Sequence, residues 1–137
     1  MHELTAMLKS HPRHADTQRP GLEECIVACN DCVQTCLSCA DACVAENQGD
    51  PLLACIRLDL DCAAICAATA QILSRSSQPN WTVISAVLRA CETACAACGS
   101  ECDRHAAHME HCRICAAACH ACAAACGTLL GTTAEAK

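Results

Sequence analysis

Aromatic side chains are nearly missing from this chain. Phe and Tyr are absent from its 137 residues, and Trp81 stands alone. A helical domain ordinarily closes its interior with Leu, Ile and Phe, and that route is largely shut here. Basic residues are scarce as well: nine Lys and Arg against fifteen Asp and Glu leave a formal net charge of −6. That balance provides no basic face interleaved with aromatics, so nucleic acid is set aside as a partner. The opening stretch MHELTAMLKSHPRHADTQRP has no apolar run of signal-peptide length and no small-residue cleavage pattern. No later window approaches a membrane span. These absences lead to an expectation of no membrane and a cytoplasmic location, where thiols stay reduced.

Cysteine is abundant instead, with 18 residues. In a reducing compartment such a count points to metal thiolates rather than a disulfide scaffold. At 137 residues the chain has room for one domain. Punctuation divides it into a leader over 1–20, a bundle over 21–131 and a loose tail over 132–137. Residues 1–11 read as a short amphipathic helix presenting Leu4, Met7 and Leu8, ended by His11-Pro12. Four longer helices follow, over about 22–47, 51–75, 81–103 and from about 108 to 127–131. Asp50 and Pro51 suit the cap and first turn of the second of these. No Gly or Pro lies between Gly99 and Gly127, so the third break is placed near 104–107 on length alone. Short connections and the lack of β-branched runs predict an all-α, up-down-up-down four-helix bundle with a short N-terminal helix and a Cys-lined core.

The spacing of the cysteines carries most of the information. The first long helix has Cys25, Cys29, Cys32, Cys36, Cys39 and Cys43, in steps of four and three. The third has Cys91, Cys95, Cys98 and Cys102, and the fourth Cys112, Cys115, Cys119, Cys122 and Cys126. The second is sparser, with Cys55, Cys62 and Cys66. Alternation of three and four is the inward stripe of a bundle seam. Residues four apart on a helix have Cβ atoms about 5–6 Å apart, too far for the roughly 3.8 Å of a disulfide. A metal held between two sulfurs, each bond being about 2.3 Å, spans such a step after small rotamer changes. Thiolate is the preferred ligand of Cu(I). One Cu(I) per displaced thiol proton leaves the core close to neutral. Zn(II) on four thiolates leaves two negative charges per site, and few Lys or Arg are placed to offset them. Cu(I) is favoured, at roughly one ion per cysteine, with a zinc or cadmium thiolate buffer as the alternative.

Other readings fit less well. Buried structural cysteine normally occurs singly, and three adjoining stripes of it would make a weakly driven core. The ferredoxin spacing is missing. None of the five Cys-x-x-Cys pairs is followed by His, and no βαβ context supports a thioredoxin-like motif. No nucleophile–base pair or redox-cofactor motif is found, and an oxidase or reductase would need open coordination and a substrate pocket. The chain is not read as an enzyme.

Threading the helices antiparallel separates two ends. One gathers Leu22, Ile72, Leu73, Trp81, Ile84, Leu88, Leu129 and Leu130 as an aliphatic plug. The other gathers Cys43, Cys55, Cys102 and Cys112 with Asp59, Asp61, His105, His108, Met109 and His111. Imidazole and thioether are exchangeable copper ligands, so His105, His108, Met109 and His111 are candidate ligands where copper enters. Asp59 and Asp61 join them as weaker candidates, Asp61 being carried into the ligand set. His2, His11, His14 and His120 are expected to face solvent. A second apolar stripe, Ile26, Val33, Leu37 and Val44, fits either an interface or a neighbouring helix.

The run C-x3-C-x2-C-x3-C-x2-C-x3-C from Cys25 to Cys43, and the block from Cys91 to Cys126 centred on R-H-A-A-H-M-E-H-C, resemble the bacterial copper storage proteins, in particular their cytosolic branch. The resemblance covers roughly residues 20–130. It implies a four-helix bundle filled with Cu(I) by cysteine thiolates, near one-to-one loading and assembly as a homotetramer. Copper ions are the expected cargo, and a copper chaperone is a candidate partner.

Overall fold

The structure, a computed structural model, describes residues 2–14, 18–75 and 77–135, the side chains of His2, Ala134 and Glu135 excepted. Five α-helices account for it: α1 (His2–Ser10), α2 (Leu22–Glu46), α3 (Leu53–Leu73), α4 (Trp81–Asp103) and α5 (Glu110–Glu135). The last four pack in cyclic order, α2 on α3, α3 on α4, α4 on α5 and α5 back on α2. This is the expected up-down-up-down bundle.

Local chemistry sets the boundaries. The left-handed Gly21 (φ 87°) precedes α2, and Asn47, also left-handed (φ 56°), ends it with its N–H on the Val44 carbonyl. Asp50–Leu52 forms a 3₁₀ turn with Pro51 inside it, so Asp50 does not cap α3 as expected. Asn80 does cap α4: its side-chain oxygen accepts from the N–H groups of Thr82 and Val83 at 3.1 and 3.2 Å. The third break falls where length required it, with turns over residues 104–108.

The principal departure is at the C-terminus. Residues 132–135 continue α5 instead of forming a loose tail, and residues 136–137 lie outside the described residues. Tertiary contacts outweigh the helix-breaking tendency of Gly127 and Gly131. Leu129 is fully buried and Thr133 nearly so, the Ser85 hydroxyl donates to Thr133 Oγ1 (3.3 Å), and Arg19 donates to Thr132 Oγ1 and carbonyl at 2.9 and 2.8 Å. The Arg19 guanidinium also stacks 3.7 Å above Trp81.

The aliphatic plug forms as expected, with Leu22, Leu73, Ile84, Leu88 and Leu129 buried and Ile72, Trp81 and Leu130 packed around them. Helix α1 docks through Leu4 and Leu8, and Thr5 Oγ1 donates to Glu23 Oε2 at 2.8 Å; Met7 stays exposed. The second stripe divides: Ile26 and Val33 pack inside, whereas Leu37 and Val44 are exposed. His120 faces solvent. His11 and His14 are half-buried instead, with His14 Nδ1 3.1 Å from the Leu8 carbonyl, and the side chain of His2 lies outside the described residues. By length and composition, α4 and α5 are apolar enough to cross a membrane, contrary to expectation. Ala and Cys supply most of that apolarity, and every one of those cysteines is turned into the bundle.

Because the plug is the main block of close-packed hydrocarbon, truncating it should be costly. Leu129→Ala is expected to destabilise the reduced metal-free chain by about 2–5 kcal/mol, measured by urea unfolding.

Candidate metal centre

All eighteen cysteines are buried and free. The 3.6-residue turn places positions in steps of three and four on one stripe, and four such stripes meet on the bundle axis. Sulfur therefore packs on sulfur. Between helices the Sγ···Sγ separations run from 3.5 Å for Cys66–Cys95 to 4.0 Å for Cys29–Cys91 and Cys39–Cys112. Along a helix they are 3.7 Å for Cys32–Cys36 and 4.0 Å for Cys115–Cys119. Small residues allow this approach: Ala40, Ala63, Ala70 and Ala116 are buried beside the thiols.

Four-atom sets emerge whose ligand atoms all lie within 4.8 Å of one another. They include Cys29, Cys91, Cys122 and Cys126; Cys32, Cys66, Cys95 and Cys122; Cys32, Cys36, Cys62 and Cys119; and Cys36, Cys98, Cys115 and Cys119. Each set shares at least one sulfur with the next, through Cys122, Cys32, and then Cys36 with Cys119. A metal with bonds of about 2.3 Å holds two opposed sulfurs about 4.6 Å apart and three trigonal ones about 4.0 Å apart. The thiols thus need only a small outward swing to take a metal between them.

Towards the end away from the plug a further set joins Cys39, Cys43, Cys112 and His111. His111 Nδ1 lies 3.5 Å from Cys39 Sγ and 3.6 Å from Cys112 Sγ, while its Nε2 is 2.8 Å from Glu46 Oε2. Of the other candidates here, His105 is half-buried with Nε2 2.9 Å from Glu101 Oε2, His108 is exposed, and Met109 is buried in the core cluster with Leu52. Burial pushes the Cys43 thiol up, and Cys112 up to about 11.

The two carboxylates part company, and the one carried into the ligand set, Asp61, is not the one at the thiols. Asp61 is exposed on the outer face of α3, away from the thiols. Asp59 is fully buried among them: its Oδ1 accepts from Cys98 (3.1 Å), Cys115 (3.3 Å) and Cys102 (3.7 Å), and its Oδ2 from Cys55 (3.9 Å). Two residues turn a helix by about 200°, so both aspartates cannot face the axis. The signal was present in the numbering: 55, 59, 62 and 66 continue the steps of four, three and four, with Asp in a cysteine slot. Burial, reinforced by neighbouring Cys115 and Cys55 and opposed by the Cys98 hydrogen bond, raises the Asp59 carboxyl to about 8. Among the described residues no Lys or Arg is buried.

Between its unfolded value of 3.8 and about 8, the folded chain holds the Asp59 proton that the unfolded chain has released. The metal-free protein therefore loses stability as pH rises through that window, by a few kcal/mol. Asp59→Asn should remove this fall and leave the protein more stable than the unaltered chain at about pH 8. Urea unfolding at about pH 4 and pH 8 tests this, and parallel falls in both proteins would contradict it.

Known proteins match this geometry. The family model for copper storage proteins fits residues 18–131. A Bacillus subtilis (strain 168) relative, the uncharacterized cysteine-rich protein YhjQ, is 37% identical over 96 residues, covering 70% of this chain and 83% of that protein. The copper storage protein Ccsp from Streptomyces lividans, loaded with 10 copper equivalents, superposes with a TM-score of 0.87 at 46% identity, covering 93% of this chain and 98% of its own. The cytosolic copper storage protein of that organism with five coppers gives 0.81 at 51%, covering 82% and 94%. Cu(I)-bound copper storage protein BsCsp3 gives 0.72 at 36%, covering 80% and 98%.

Proposed function

The chain belongs to the copper storage protein family, and from that premise we propose that it is a cytoplasmic Cu(I) store whose cargo sits on the thiolates of the bundle axis. The sharing of sulfurs between successive four-atom sets carries this reading. A thiolate that bridges two Cu(I) ions serves both sets at once. Each Cu(I) that displaces a thiol proton leaves the core charge unchanged, which suits an interior without a buried cation.

All eighteen cysteines serve as ligands in this reading, and His111 completes the outermost set. Asp59 replaces Asp61 as the acidic group within the column. Copper enters at the open end, where His108 is exposed, His105 half-buried and Met109 buried beneath them. The plug closes the other end. Storage needs no catalytic group, and no enzymatic role is assigned. The exposed Leu37, Val44, Leu53, Leu60 and Ile114 provide outer apolar surface on α2, α3 and α5 for a homotetramer. A copper chaperone is the partner for the open end.

A zinc buffer is the competing use of four sulfurs within 4.8 Å. It takes about four thiolates per ion, and overlapping sets cannot all be filled that way. Titration of the reduced metal-free chain with Cu(I) against a competing chelator separates the two. Saturation is expected near the thiol count of 18; saturation near five ions would overturn the store. Replacing His105, His108 and Met109 together should slow loading, followed by stopped-flow, and unchanged kinetics would count against this way in.

A further inference from the structure

Glu46 is the last residue of α2, where the partial negative charge of the helix C-terminus disfavours a carboxylate. No basic residue accompanies it in that final turn. It stands three residues beyond Cys43, at the next position of the cysteine stripe, and it reaches across to α5 to meet His111 Nε2 at 2.8 Å. An ionised carboxylate has no proton to give, so the proton of this contact belongs to Nε2. A neutral His111 ring then carries a bare lone pair on Nδ1, the atom 3.5 Å from Cys39 Sγ and 3.6 Å from Cys112 Sγ. At the end of α4, His105 Nε2 meets Glu101 Oε2 at 2.9 Å in a local contact, again with a glutamate in the last turn of its helix.

We propose that Glu46 is a positioning residue that fixes the tautomer and orientation of His111, so that Nδ1 faces the outermost thiols as a ready copper ligand. Carboxylates behind metal-bound imidazoles act in this way, and their loss typically weakens metal binding about 10–100-fold. Glu46 itself does not touch the cargo. The assignment rests on the reading of His111 as a ligand in a Cu(I) store.

The test uses the full, reduced chain with ¹⁵N-labelled histidine. Long-range ¹H–¹⁵N spectra of the metal-free protein should show His111 protonated on Nε2. Glu46→Ala should shift it to a mixture of tautomers, and Glu46→Gln, whose amide oxygen still accepts, should restore much of the original signal. An unchanged His111 signature in Glu46→Ala overturns the proposal. Chelator competition should then show the outermost Cu(I) held about 10-fold more weakly in Glu46→Ala, with no further loss when Glu46→Ala is added to His111→Ala. Additive losses would mean that Glu46 acts independently of His111 and would also overturn it. If the unaltered chain takes up far fewer Cu(I) ions than thiols, the store reading fails, and the metal-free spectra still decide the role of Glu46.

Discussion

The constraint that orders this structure is a core of sulfur packed on sulfur. Steps of three and four put every cysteine on the axis, and the thiols meet at 3.5–4.0 Å without a covalent link. Such a core must hold together both before and after metal arrives. Thiols pack as small hydrophobes with weak hydrogen-bonding capacity, so the empty column is narrow and contributes modestly to stability. Two other features hold the bundle: alanines that bring the helices close, and the leucine and isoleucine plug that closes one end.

Electrostatics follow from the same arrangement. The axis contains no buried cation among the described residues, and its one acidic group, Asp59, keeps its proton to about pH 8. An interior of low dielectric without a buried cation disfavours unbalanced charge along this column. Exchange of each proton for a monovalent ion leaves the balance unchanged. At the end away from the plug, His105 pairs with Glu101 and His111 with Glu46.

Most of this architecture was legible in the residues because spacing alone determines which side chains share a helix face. The eighteen thiols, the plug and the turn after Asp103 all follow from period and length. The exceptions have physical causes. Residue type does not separate Asp59 from Asp61; only register against Cys55, Cys62 and Cys66 does. Helix α5 outran its glycines because Leu129, Thr133 and Arg19 make tertiary contacts that local propensity does not contain. Asp50 opens a 3₁₀ turn with Pro51 instead of capping α3. The Glu46–His111 pair joins residues 65 positions apart, and no local pattern announces it.

The plug has a consequence for the history of the cargo. A column closed at one end is a stack rather than a queue: what is deposited first lies deepest and is withdrawn last. Two populations of copper then coexist in one molecule. In a store filled only through the His/Met end, ions beside Cys43 and Cys112 would exchange before those near Cys25 and Cys126, next to Leu129.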